Sequence, residues 1–263
     1  MKRDQQLIEK LQKHDFKGII FDFDGVLLDV REPLHQAVTE VLDKRSIRVD
    51  MDLAMQQIGA VLESVQGYPM SQIILQSYQI FKYVTVFEKY RLVKKLRVAI
   101  EIFAKYQNYS KECEFHHGTK LLLENLSKHH DLFIISHNIT ESILRHLRRV
   151  DFENFFKDIY GQDKLPALKP DPASVEAPLD HYKSCIKEDF VVLGDMPTDI
   201  EAGKGAGFWT IAVSSGLCTK ELLAENEPDL LLDSIEDILP LLGVNTGRII
   251  KSQANTKLKT ESL

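Results

Sequence analysis

Gly18-Ile19-Ile20-Phe21-Asp22-Phe23-Asp24-Gly25-Val26-Leu27-Leu28-Asp29 decides how this chain is read. A short apolar run with no polar alternation is the pattern of a strand buried on both faces. Here that run ends in acids. Residues two apart on extended chain face the same way, so Asp22 and Asp24 converge on one point. Carboxylates at the end of a buried strand cost free energy unless a cation or hydrogen bonds compensate them. Gly25 permits the tight turn that takes the chain out of the sheet. The stretch therefore describes a carboxylate nest suited to a hard metal ion and to chemistry on an anion.

Downstream, further apolar runs end in polar groups. Asp131–Ser136 reads as a buried strand ending in a hydroxyl, and Phe190–Gly194 as another ending at Asp195. Phe208–Val213 and Asp229–Leu232 complete the series. Helices are expected between them. One begins after Gly118, one near Thr140 with Thr140 or Asn138 as its cap, one has Pro197 in its first turn, and one spans Ile235 to Leu242. Strands alternating with helices predict an α/β fold, a Rossmann-like parallel sheet with helices on both faces. In such sheets ligands bind beyond the carboxyl ends of the strands, where Asp22, Ser136 and Asp195 fall.

Between Val30 and Glu114 no buried strand is evident. Leu34–Leu42, Ile73–Phe81 and Glu88–Lys105 read as helix, the last with Val93, Leu96, Ile100 and Phe103 at helical spacing. Its polar side carries Arg91, Lys94, Lys95, Arg97 and Lys105, a solvated face more readily than an anion site. The expected organisation is a catalytic core of residues 1–29 and 115–250 and an all-helical cap, 30–114. That insertion of about 85 residues has the size of a small domain. Hinges are expected at Asp29–Arg31 and Glu112–Gly118. Leu7, Ile8 and Leu11 suggest a short N-terminal helix packed on the core, and 251–263 reads as a flexible tail.

Composition narrows the partners. The net charge of −6 over 263 residues argues against nucleic acid, and 44% apolar residues fit a folded globular protein. No apolar run approaches the roughly 20 residues of a membrane span, and the N-terminus is too charged for a secretory signal. Cys113, Cys185 and Cys218 form no CxxC pair and read as idle thiols in a reducing, cytoplasmic setting.

The acids of the first motif, Ser136, Lys169-Pro170 and Gly194-Asp195-Met196-Pro197-Thr198-Asp199, in that order, resemble the haloacid dehalogenase superfamily. Within it the likeness is to the phosphoglycolate phosphatase and β-phosphoglucomutase-like subgroup, whose helical cap follows the first strand. The resemblance implies a phosphatase acting on a small phosphorylated substrate with Mg²⁺ as cofactor. It assigns Asp22 as nucleophile and Asp24 as general acid and base. It gives the ion the Asp22 carboxylate, the Asp24 carbonyl and the Asp195 carboxylate, with Asp199 behind them. Ser136 and Lys169 bind phosphate oxygens. Taken singly, each residue has a plainer reading as a helix cap, strand-end residue or solvated lysine; their order and spacing favour the site. The subgroup often has Asn directly after the hydroxyl residue, whereas here His137 intervenes before Asn138. The pairs His116-His117 and His129-His130 read as hinge and surface residues. Three alternatives stay open: a mutase returning the phosphate to a sugar, a dehalogenase proper (which generally lacks the second aspartate), and a silent binding protein. Substrate identity and oligomeric state are not specified.

Overall fold

The computed structural model describes residues 2–65 and 85–244. Its centre is a six-stranded sheet, β1 (Gly18–Phe21), β2 (Asp131–Ile135), β3 (Asp158–Tyr160), β4 (Phe190–Gly194), β5 (Trp209–Val213) and β6 (Leu230–Leu232). The spatial order is β3-β2-β1-β4-β5-β6 and every pairing is parallel. All residues of β1, β4 and β5 are buried. That is what unbroken apolar runs require when helices cover both faces. The expected α/β class is observed.

The helices are α1 (Arg3–Gln12), α2 (Arg31–Lys44), α3 (Met51–Val65), α4 (Leu92–Tyr109), α5 (Thr119–Leu126), α6 (Thr140–Arg149), α7 (Pro197–Ala206), α8 (Lys220–Glu225) and α9 (Ile238–Leu241). No described helix is long and apolar enough to cross a membrane. Leu7 and Leu11 of α1 are buried, and α1 packs on α9. Pro197 opens α7 and Gly207, at φ +80°, ends it in the left-handed conformation.

Four elements depart from the sequence reading, the first being the six-residue helix α8, for which it holds no expectation. Strand β3 was not anticipated: it is a three-residue edge strand, too short to carry a period. Helix α3 is not anticipated either: the buried hydrophobics among its described side chains are only Ala54 and Ile58, and Gly59 lies within it. In α4 the buried residues among the described side chains are Val98, Ile102, Phe103 and Tyr106, while Val93 and Ile100 face water. The helix carries two apolar stripes, and packing against α2 selects the second. The expected Ile73–Phe81 helix and the 251–263 tail lie outside the described residues.

Helices α2, α3 and α4 occupy the insertion between β1 and α5. The two chain crossings that join them to the sheet run side by side. Asp29 donates its backbone N–H to Glu114 O at 2.8 Å, and His116 donates to Leu27 O at 2.9 Å. His116 Nε2 also lies 3.0 Å from Gly25 O. His117 pairs with Glu236 at 3.0 Å, and His130, expected at the surface, is buried with its Nδ1 2.8 Å from Phe16 O.

Candidate active site

Register brings the acids together. Phe21 is paired with Ile134 on one side and Leu193 on the other, so β1, β2 and β4 end level. Asp22 continues β1 by donating its N–H to Leu193 O at 2.8 Å. The next residues of β2 and β4 are Ser136 and Asp195, both 1% exposed.

Lys169 arrives from the loop between β3 and β4, ahead of a cis Lys169–Pro170 peptide. Its ammonium donates to Asp22 Oδ1 at 2.7 Å and Asp199 Oδ1 at 2.5 Å. Asp199 is held from behind, where its Oδ2 accepts the Met196 N–H at 3.1 Å in the first turn of α7. Asp22, Asp195 and Asp199 are all buried, and one carboxylate oxygen from each lies within 4.8 Å of the others. The Asp24 side chain turns away from that cluster. Its Oδ2 lies 3.4 Å from both Ser136 Oγ and Asn138 Nδ2. Ser136 Oγ in turn accepts the Asn138 N–H at 3.0 Å.

Two glycines make room for Asp195. A Cβ on Gly25 would lie 2.2 Å from Asp195 Oδ2, and one on Gly216 would lie 1.9 Å from it. Gly25 also has φ +86°, a conformation that other residues adopt at a cost. Asp195 Oδ2 accepts the Leu217 N–H at 2.9 Å, which fixes its rotamer.

The electrostatics explain why the cluster is suited to a cation. Burial pushes the Asp22 carboxyl well above the usual carboxylate range. Lys169 pulls it back, while Asp199 and Asp24 push the same way as burial. Burial acts to lower Lys169, but Asp199 and Asp22 outweigh it and the ammonium is held more tightly than usual. With all three ionised, the buried carboxylates exceed the one ammonium by two negative charges, and a cation bound there would favour the charged form of Asp22 against its burial. An all-oxygen donor set with that excess fits a hard divalent cation.

The structure therefore brings together Asp22, Lys169, Asp195 and Asp199 in one cluster, and Asp24 and Ser136 beside it. Sequence reasoning missed the Leu217 amide and Gly216; the only available signal was a glycine shortly after a strand end. Asn138, expected as a cap, instead has its side chain 3.4 Å from Asp24. The α6 N-terminus is instead capped across the chain, with Asp163 Oδ1 accepting from Thr140 N at 2.7 Å and from Thr140 Oγ1 at 3.0 Å.

This chain is similar to several known proteins. Pyrophosphatase PpaX of Listeria welshimeri is 33% identical over 111 residues, 42% of this chain and 51% of that protein, so the chain spans about half its length. The phosphoglycolate phosphatase of Salmonella typhi is 26% identical over 90% of this chain and 96% of its own. The solved structure of a haloacid dehalogenase-like hydrolase from Streptococcus pneumoniae superposes with a TM-score of 0.60 at 20% identity, covering 86% of this chain and 98% of that one. Residues 19–213, from the first strand of the sheet to the end of its fifth, match the haloacid dehalogenase-like hydrolases as a family. A match that takes in every carboxylate of the cluster, its lysine and the helical insertion makes the chain a member of that hydrolase family.

Proposed function

We propose that this protein is a Mg²⁺-dependent phosphatase that hydrolyses a small phosphorylated metabolite through an aspartyl-phosphate on Asp22. The observation that carries this reading is the convergence of Lys169 on Asp22 and Asp199 from 147 and 30 residues away, beside buried Asp195. A phosphate monoester repels nucleophiles with its own charge, so its transfer demands positioning and charge neutralisation. Asp22, Asp195 and the Asp24 carbonyl would hold the ion, with Asp199 behind them. Bound there, Mg²⁺ would screen the carboxylates from the phosphate and stabilise charge in the transition state.

Asp22 attacks phosphorus, and the bond to the leaving oxygen breaks as Asp24 gives that oxygen its proton. Lys169 and Ser136 hold the non-bridging oxygens through this step. Water then attacks phosphorus, Asp24 takes its proton, and inorganic phosphate leaves with Asp22 restored. The proximity of Asp24 to Ser136 and Asn138, apart from the cluster, supports a separate role for it as proton carrier. We assign residues 1–29 and 115–250 to the core and 30–114 to a cap that closes over the substrate. The names of the Listeria and Salmonella relatives suggest esters or anhydrides of similar size.

The test is phosphate release from a panel of phosphorylated metabolites, with Mg²⁺ and with chelator. Release with Mg²⁺ and its loss on chelation is expected. No release from any member, or full release in chelator, defeats the reading.

A further inference from the structure

A cavity of 470 Å³ opens beside Asp24, between the end of α4 and the first turns of α6. Asp24 and Asn138 line it, with Tyr106 and Gln107 from α4, and with Lys111 and Arg145. We propose that this cavity receives the leaving portion of the substrate, and that Arg145 and Lys111 select leaving groups carrying a negative charge of their own. The inference rests on the phosphatase reading and adds to it the substrate's charge and the residues that sense it.

Position supports it first. The group Asp24 would protonate is the leaving oxygen, so the rest of the leaving group must extend from Asp24 into adjoining space. This cavity is such a space. Charge supports it second. Lys111 and Arg145 are both exposed, and among the described residues neither has a carboxylate partner. The Lys111 ammonium donates only to the neutral amide of Asn108, at 3.2 Å. The neighbouring cations differ: Arg148 pairs with Glu141 and Glu153, and Arg149 with Glu112. His146, also on the wall, adds no charge at neutral pH, because burial, with Arg149 and Arg145, pushes its imidazole down to about 4.

The two segments that carry the cations are also tied together. Arg149 stands one turn after Arg145 on α6. It donates to the carbonyls of Lys111, at 3.0 Å, and of Cys113. This clamp ties the segment that carries Lys111 to the helix that carries Arg145. A carboxylate or second phosphate entering the cavity would meet a guanidinium and an ammonium carried by two segments.

The experiment compares kcat/KM for phosphoglycolate, pyrophosphate and 2-hydroxyethyl phosphate, the last having a neutral leaving group of the size of glycolate. Wild-type protein is expected to favour at least one anionic substrate over the neutral one by about tenfold or more. Preference for phosphoglycolate identifies a carboxylate subsite, and preference for pyrophosphate a phosphate subsite. In Arg145→Gln and Lys111→Gln the anionic-to-neutral ratio should fall by about tenfold, through KM, and Arg145→Glu should reverse the preference. Arg145→Lys should recover part of the ratio, which a merely structural role would not produce. Both positions are exposed, so folding is not at stake, and circular dichroism of each variant checks this. Turnover of the neutral ester with no preference for an anionic one, or equal losses on both in the variants, overturns the subsite while leaving the phosphatase reading intact. Release from none of the three overturns the subsite, and the phosphatase reading falls with it only if the wider metabolite panel is also left unhydrolysed.

Discussion

At the carboxyl ends of β1 and β4, Lys169 meets Asp22 and Asp199 with side-chain exposures of 4%, 11% and 2%. Between α2 and α4, Lys44 and Arg45 meet Glu101 with 68%, 31% and 20%. The nitrogen–oxygen distances are alike, 2.7 and 2.5 Å in the first set and 2.6 and 2.5 Å in the second. The physical consequences are not. In water-facing pairs the Coulomb gain is offset by screening and by lost side-chain freedom. In the buried set each charge has been stripped of water, and the attraction of its partner is what keeps desolvation from unfolding the site. A buried set with more carboxylates than cations is a poor way to stabilise a protein. Its presence at the strand ends is better explained by chemistry than by stability, whereas the α2–α4 pairs orient two helices.

Four substitutions sharpen or break that contrast. Asp22→Asn should reduce phosphate release by at least about a thousandfold with the fold retained, since an amide cannot form the acyl phosphate. Burial already disfavours the Asp22 charge, so a neutral isostere is tolerated structurally. Turnover near wild type would remove Asp22 from the nucleophile's role. Lys169→Met should abolish efficient turnover and also lower unfolding stability by about 3–5 kcal/mol, because Asp22 and Asp199 lose their shared ammonium. Urea unfolding measures this, and an unchanged midpoint would show that the buried pairs contribute no more than surface ones.

Asp24→Asn should slow release of poor leaving groups about a hundredfold more than good ones, since only poor ones need a proton in the transition state. A leaving-group series in alkyl and aryl phosphates reads it out; equal losses throughout would reject Asp24 as the acid. The smallest change is expected for Glu101→Gln. It should shift the melting temperature by about 2 °C or less and leave activity near wild type. A larger fall would place the α2–α4 pairs in the same energetic class as the strand-end cluster.

Much of the site was legible because it lies on regular elements. Asp22, Ser136 and Asp195 each follow an unbroken apolar run, and the Pro197 helix start points to Asp199 three residues into the same segment. Lys169 was different. It sits in an aperiodic loop, and only its order among the other motifs distinguished it from a solvated lysine. Asn138, Leu217 and the Arg145–Lys111 pair were not readable as parts of a site. Their roles arise from a side chain crossing between elements, a backbone amide, and two exposed cations on separate segments.

By itself the sequence determined the layered α/β core, the ends of its central strands and the pair of acids two residues apart, because periodicity and strand-end chemistry are local properties. Only the tertiary structure decided which α4 stripe is buried, that a three-residue strand extends the sheet edge, and that Lys169 lies between Asp22 and Asp199. Those outcomes depend on which surfaces meet, and partners 147 residues apart are chosen by packing the whole chain, not by any window of it.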